Sequence, residues 1–142
     1  MTGIIMNENI LNMIVKLKSN KALDKKHMRM FCNLSIAEYK GIMAQKTGEE
    51  MTCQEMARVM DLSPSRSSRV IDNLVQKGYF IRKTSSYDRR TIAITLSSKG
   101  KKIKEEIKKN RQQMEQEIVE KFSDDEVEMI RNSLRMLLNY FM

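Results

Sequence analysis

The sequence predicts a mainly α fold with one small β-hairpin. Three observations indicate this: a helix-start motif occurs three times, the hydrophobic pattern changes from helical to alternating after Gly78, and both ends carry helical patterns. The chain has 142 residues, of which 41% are hydrophobic and 31% charged, with a single proline. A chain of this length and composition buries one core, so we expect a single domain over residues 1–142.

Three capping boxes each predict the start of a helix. In Ser35–Glu38, Thr52–Glu55 and Ser123–Glu126, a hydroxyl residue is followed three positions later by glutamate. The hydroxyl and the carboxylate bind N–H groups that the first helical turn leaves unpaired. After the first box, the residues expected to share a buried face are Ile36, Tyr39 and Met43. After the second box, they are Cys53, Met56, Ala57 and Met60.

A fourth helix is predicted to begin at Ser63–Pro64 and to end at Gly78. Serine caps helices, proline fits the first helical turn, and glycine favours the left-handed position that follows a helix. The predicted apolar face consists of Val70, Ile71, Leu74 and Val75. The polar residues expected to be exposed are Ser65, Arg66, Ser67, Arg69 and Asn73.

Beyond Gly78 the period becomes two, which predicts a β-hairpin. Residues 79–83 and 91–96 alternate in polarity, and the polar connector over residues 85–90 is longer than a two-residue turn. We call this hairpin the wing. Its tip is expected to project and to present Arg89 and Arg90.

Helical patterns at both ends predict an interface with a second copy of the chain. Apolar residues at helical spacing follow Ser97, and after Ser123 they step by three and four, as in a seam between helices: Val127, Ile130, Leu134, Leu137 and Phe141. A shorter stripe near the N-terminus contains Ile10, Met13, Ile14 and Leu17. We therefore assign residues 1–32 and 97–142 to a dimerisation region and residues 33–96 to a winged helix-turn-helix.

The positive charge is concentrated in Leu62–Lys102. This segment contains ten Lys and Arg residues but only Asp72 and Asp88, so it carries +8, which equals the net charge of the whole chain. A local basic excess within a folded segment is typical of phosphate binding, because neutralised phosphates release counterions. The order helix, short turn, helix and wing places the second helix where it would enter the major groove.

Three stretches resemble the MarR family of bacterial regulators. They are the run Leu62–Gly78, the tip Asp88-Arg-Arg90, and Leu96-Ser-Ser-Lys-Gly100; the likeness covers Asn33 to Lys102. The resemblance implies a two-fold symmetric homodimer that binds a pseudo-palindromic operator in double-stranded DNA, usually as a repressor. It also implies release by a small phenolic or anionic effector.

The residues expected to contact DNA lie on the fourth helix and the wing. Arginines pair with guanine or phosphate, and serine hydroxyls donate to phosphates or base edges. On the helix they are Ser63, Ser65, Arg66, Ser67, Ser68, Arg69 and Asn73. On the wing, Arg82, Lys83, Ser85 and Arg89 are expected to reach phosphate, and the resemblance assigns Arg90 to the minor groove and Asp88 to orienting it.

Other functions receive less support from the sequence. There is no glycine-rich phosphate loop, no nucleophile–base arrangement and no metal constellation, so we expect neither an enzyme nor a cofactor. A winged helix that binds proteins stays an alternative, as does a redox-sensing repressor that uses Cys53 or Cys32. His27 is the single histidine, so a histidine metal site is not supported. No apolar run approaches a membrane span and no signal peptide is visible, so we expect a cytoplasmic protein.

Overall fold

The computed structural model describes residues 9–19 and 33–142, so His27 and Cys32 lie outside the described residues. The chain divides into two units, Met1–Ala37 and Glu38–Met142. The helix-turn-helix, the wing and both C-terminal helices belong to the second unit.

Six helices are formed by the described residues. They are α1 (Ile10–Ser19), α2 (Ile36–Ala44), α3 (Cys53–Met60), α4 (Pro64–Gln76), α5 (Ser98–Lys121) and α6 (Asp124–Phe141). At Thr52 and at Ser123, both halves of the capping box are formed, so these two predicted helix starts are confirmed. The Ser63 hydroxyl caps α4 ahead of Pro64, also as predicted.

The predicted hairpin is confirmed, and it forms part of a three-stranded antiparallel sheet. The strands are β1 (Met51–Thr52), β2 (Phe80–Thr84) and β3 (Ile92–Leu96), in the spatial order β1-β3-β2. In the hairpin Phe80 pairs with Leu96 and Thr84 with Ile92, while Met51 of β1 pairs with Ile94. The two-residue strand β1 was not predicted, because a segment of this length shows no alternation.

The core lies where the helix-turn-helix, the sheet and the first half of α5 meet. Its largest fully buried apolar side chains are Ile42, Met56, Ile71, Leu74, Ile94 and Ile107. The predicted apolar faces of α3 and α4 are confirmed at Met56, Ala57, Met60, Val70, Ile71 and Leu74. Cys53 and Val75 of the same predicted faces are only partly buried.

The buried side of α2 differs from the prediction. The residues of α2 that are buried are Glu38, Gly41 and Ile42. Of the predicted face, Ile36 is 49% exposed and both Tyr39 and Met43 are only partly buried. The difference arises because Glu38 forms an ion pair with Lys77, at the end of α4, and this pairing makes burial of the carboxylate acceptable. The pattern of apolar residues alone could not reveal that partner.

Of the two C-terminal helices, only α5 has buried residues. The buried residues of α5 are Gly100, Lys104, Ile107 and Asn110, and α6 has none. The Lys104 ammonium donates to the main-chain carbonyl of Gln45, and burial lowers its pKa. Large apolar side chains of α6 that are at least half exposed are Met129, Leu134, Met136, Leu138 and Phe141. Among residues 9–19 and 33–142, no helix has both the length and the apolar character that crossing a bilayer requires.

Candidate nucleic-acid interface

A tight turn joins α3 to α4 and sets the start of the second helix. Asp61 adopts the left-handed conformation, with φ 53°. The Asp61 N–H donates to the Arg58 carbonyl at 3.2 Å, and the Leu62 N–H donates to the Ala57 carbonyl at 3.0 Å. These two bonds end α3 as in a Schellman motif, so the chain turns at once into α4. The two helices thus form the predicted helix-turn-helix.

The beginning of α4 exposes most of its polar side chains. Ser63 and Ser65 lie at its N-terminus, with their hydroxyls 3.3 Å apart, and the Ser63 hydroxyl also accepts the Arg66 N–H. The predicted contact residues of α4 that are exposed are Ser63, Ser65, Arg66, Ser68, Arg69 and Asn73. The guanidinium groups of Arg66 and Arg69 form no ion pair with another described residue, which leaves both cations available to an external anion.

Ser67 is an exception to the predicted exposure of the polar face. Its side chain is 1% exposed, and its hydroxyl has no hydrogen-bond partner among the described residues. The position explains the burial, because Ser67 precedes Val70, Ile71 and Leu74 by three, four and seven residues and so shares their face. The prediction that Ser67 is exposed was therefore wrong, and the hydroxyl is not available to DNA.

Ion pairs attach the first wing strand to the rest of the domain. Arg82 pairs with Asp72 of α4, and both side chains are partly exposed. Lys83 pairs with Glu50, with Nζ and Oε1 2.9 Å apart. Two of the predicted phosphate-binding cations are thus already paired within the protein.

Glu50 connects the wing to the segment that precedes β1. Its carboxylate accepts from the Ser86 hydroxyl at 2.6 Å and from the Ser86 N–H at 3.0 Å, in addition to the Lys83 ammonium. The Ser85 hydroxyl donates more weakly, at 3.4 Å. These bonds to the charged form lower the pKa of Glu50 to about 2. Sequence reasoning missed Glu50, because its partners lie more than 30 positions further along the chain.

The wing tip is folded by its own hydrogen bonds. The Asp88 carboxylate accepts from the Arg90 N–H at 3.0 Å and from the Thr91 hydroxyl at 3.3 Å. The Thr91 N–H donates to the Asp88 carbonyl, and the Ser85 N–H donates to the Thr91 carbonyl. Asp88 therefore acts on Arg90 through the main chain, and the side chains of Arg89 and Arg90 are exposed.

Shallow clefts surround Glu50. One has a volume of about 460 Å³ and is lined by Glu49, Glu50, Lys83, Ser86 and Tyr87 among others; two more measure about 300 and 340 Å³ and include Glu50 and Glu55.

Cys53, the first residue of α3, is free and partly buried. Within the described part of the chain, no group of three or more His, Cys, Asp or Glu side chains is arranged to hold a metal ion.

The low pKa of Glu50 predicts a specific pH dependence of stability. Because the folded-state pKa lies below the ordinary value of 4.5, the stabilisation by Glu50 is fully present above pH 4.5 and is lost as the pH falls towards 2. We expect Glu50→Gln to lower the free energy of unfolding at pH 7 and to flatten its decline over that window. Urea unfolding at pH 7, 5 and 3 measures both effects.

Glu49→Gln is the matched control for this measurement. Glu49 is the exposed neighbour of Glu50, and its carboxylate lies 3.9 Å from the Lys46 ammonium, a weak surface pair. The control should follow the wild-type pH profile. Parallel profiles for the wild type and Glu50→Gln would show that the carboxylate does not hold the wing.

Sequence comparisons relate the chain to transcription regulators. The family described as "Transcriptional regulator SarA/Rot" matches residues 30–107, which is more than half of the chain. An uncharacterised HTH-type transcriptional regulator of Bacillus subtilis strain 168, YwhA, is 30% identical over 112 residues, which cover 78% of each chain.

Solved structures with the same fold include several winged-helix regulators. Streptococcus pneumoniae FabT in complex with DNA superimposes with a TM-score of 0.80 at 22% identity and covers 92% of this chain and 94% of its own. The reduced form of E. coli MarR gives a TM-score of 0.76 at 21% identity, covering 92% and 97%. A MepR variant from S. aureus bound to an oligodeoxyribonucleotide gives 0.63 at 19% identity, covering 95% and 100%. The MarR-like winged-helix fold expected from the sequence is confirmed.

Proposed function

Because the chain belongs to the SarA/Rot family of transcriptional regulators, we propose that it binds operator DNA as a homodimer, with α4 in the major groove and the wing tip at the minor groove. The observation that carries this proposal is the placement of four arginines that form no ion pair with another residue the structure describes. Arg66 and Arg69 are exposed on the first turns of α4, and Arg89 and Arg90 are exposed at the folded wing tip. A recognition helix presents its N-terminal residues to base edges, and arginine suits guanine and narrow minor grooves.

The remaining contact residues receive different roles. Ser63, Ser65, Ser68 and Asn73 are exposed on α4 and would donate to phosphates or base edges. Arg82 and Lys83 would reach phosphate only by exchanging their present carboxylate partners. Ser85 and Asp88 support the tip, because their side chains bind the wing's own main chain. Ser67 is left out of the set.

The proposed dimer uses the terminal helices. No residue of α1 or α6 is buried, although both helices carry large apolar side chains. Those of α1 that are more than half exposed are Ile10, Leu11, Val15 and Leu17. Several large exposed apolar side chains on one helix are typical of an interaction site, and a second copy would bury them in a symmetric interface. Residues 1–32 and 97–142 therefore remain our proposed dimerisation region, and 33–96 the DNA-binding region.

Repression and release by a small ligand are proposed from the resemblance to the MarR family. The clefts beside the wing are lined by charges of both signs, because Glu50 and Glu55 line two of them and Lys46 and Arg58 also line one of these two. Redox sensing through Cys53 stays an alternative mode of release.

A salt-dependent binding titration tests the proposed function. The probe is a duplex from the chain's own promoter region, and affinity is measured at 50 and 200 mM salt. Each phosphate that a cation neutralises adds roughly −0.9 to the slope of log affinity against log salt. With at least four such contacts per dimer, affinity should fall by roughly two orders of magnitude. A footprint should show two half-sites about one helical turn apart.

Ser67→Ala is the internal control, because its hydroxyl is buried and the proposed interface does not use it. This variant should bind as the wild type does. Affinity that does not respond to salt, or a footprint of one half-site only, would contradict the proposal. A winged helix that binds proteins would give no shift of the promoter duplex at either salt concentration.

A further inference from the structure

The end of α4 is fixed by a dense set of contacts that the proposed DNA interface does not use. The Gly78 N–H donates to the Val75 carbonyl at 3.0 Å, and the Tyr79 N–H donates to the Leu74 carbonyl at 2.9 Å. These bonds form a Schellman motif, with Gly78 at φ +82° in its left-handed position. The helix therefore ends at Gln76, with Lys77 as its C-cap.

Lys77 joins this helix end to α2. Its ammonium lies 2.6 Å from the Glu38 carboxylate, whose side chain is only 5% exposed. A carboxylate that has left water so completely depends on its cationic partner, so the pair holds the two helices in one arrangement. Lys77 is also well placed electrostatically, because a cation stabilises the C-terminal end of a helix.

The first turn of α5 binds the same helix end from the other side. The Lys99 ammonium donates to the Lys77 carbonyl at 2.9 Å and lies 4.7 Å from the centre of the Tyr79 ring. The Ser97 hydroxyl accepts the Gly100 N–H and thereby caps α5, and it also contacts the carbonyls of Gly78 and Tyr79. In addition, the Ser97 N–H donates to the Tyr79 carbonyl at 3.0 Å.

These contacts lie at the C-terminal end of α4, whereas the turns proposed to read bases lie at its N-terminal end. The contacts therefore suit residues that position the helix and do not touch DNA. We propose that Ser97 and Lys99 of the α5 start, acting on Lys77–Tyr79, fix the angle between the recognition helix and α5 and are thereby positioning residues for operator recognition. We call this set of contacts the α4–α5 clamp. The inference rests on the proposed function, since it concerns how α4 is presented to DNA.

The clamp affects specificity through the geometry of the dimer. In the proposed dimer α5 belongs to the dimerisation region, so its angle to α4 sets the separation of the two recognition helices. A two-fold symmetric operator accepts only one separation of its half-sites, about 34–36 Å or a multiple. Loosening the clamp would therefore weaken base reading at both half-sites. Attraction to phosphates would be unchanged, because it depends on charge and not on register.

The test compares operator and scrambled DNA with clamp variants. Lys99→Met and Ser97→Ala are titrated against the promoter duplex and against a scrambled duplex of the same length and composition. We expect the ratio of the two affinities to fall about tenfold. This is about the discrimination that one bidentate hydrogen bond between a side chain and a base provides. Binding to the scrambled duplex should stay close to the wild-type value.

Two conservative variants and one charge-matched control complete the design. Lys99→Arg and Ser97→Thr keep the donors and should restore the ratio. Lys101→Met removes one positive charge from the exposed surface of the same helix and should leave the ratio unchanged. Equal losses of affinity on both duplexes would leave the ratio unchanged and would indicate fewer folded molecules. That result would overturn the positional role, and so would wild-type affinity for both duplexes. If the wild type itself fails to discriminate the duplexes, the proposed function falls before any variant is compared.

Discussion

Replacing Arg90 with alanine is expected to weaken operator binding by about 1–3 kcal/mol for each half-site, which is roughly 5- to 150-fold in affinity per half-site and the square of that factor for a dimer on both. The tip that carries Arg90 is closed by bonds from Asp88 to main-chain and threonine donors, none of which involves the guanidinium. The substitution therefore removes an interaction with DNA without unfolding the wing. Fluorescence anisotropy with the promoter duplex measures the weakening. The slope of log affinity against log salt concentration should become shallower by roughly 0.9 for each phosphate that is no longer neutralised.

Lys101→Ala is the control for Arg90→Ala, because it removes the same charge from an exposed position on α5. Its effect should be small and should shrink further at high salt, where long-range attraction is screened. If Arg90→Ala bound operator as tightly as the wild type, the wing tip would have no place in the interface. The exposed residues of α4 would then have to carry recognition without the wing tip.

Gly100→Ala is expected to destabilise the fold by about 1–3 kcal/mol, as an overpacked core substitution does. A Cβ at this position would lie 2.1 Å from the Tyr79 carbonyl oxygen and 3.0 Å from Leu96 Cδ2. The first of these atoms belongs to the main chain of the α4–α5 clamp and cannot rotate away, so α5 would have to shift. The gain in helix propensity from alanine, up to about 1 kcal/mol, offsets only part of that clash.

Gly48→Ala separates this steric effect from the conformational preference of glycine. Gly48 has φ +79° but nothing within 4 Å of an added Cβ, so its substitution should cost only about 1–2 kcal/mol of left-handed strain. Urea unfolding at one fixed protein concentration compares the two variants, since the proposed dimerisation would make apparent stability depend on concentration. Only Gly100→Ala should also lower the ratio of operator to scrambled affinity. A Gly100→Ala protein as stable and as specific as the wild type would show that α5 tolerates the shift.

Features encoded by neighbouring residues could be predicted from the sequence. The capping boxes at Thr52 and Ser123 act within one helical turn, so the pattern of letters contains the whole interaction. The hairpin is recognisable for the same reason, because its alternation is written along each strand. The cluster of cations on α4 and at the wing tip could be predicted, because the composition of Leu62–Lys102 shows its excess of Lys and Arg directly.

Features that depend on distant partners could not be predicted. The burial of Glu38 is explained by Lys77, 39 positions away, and the role of Glu50 by Ser86, 36 positions away. Ser67 differs from its prediction for another reason: its residue type is polar, but its spacing from Val70, Ile71 and Leu74 places it in the core. In that case position on the helix outweighs residue type.

The internal ion pairs of Arg82 and Lys83 have a consequence for how the protein would find its operator. A cation that already has an anionic partner gains little by trading it for a phosphate, whichever duplex supplies that phosphate. On the proposed function, residence on random DNA, which depends on generic attraction, would thereby be shortened. The four arginines without an ion-pair partner among the described residues would keep that attraction at the start of α4 and at the wing tip. Sliding encounters would then bring the base-reading surfaces into contact first and release wrong sequences quickly.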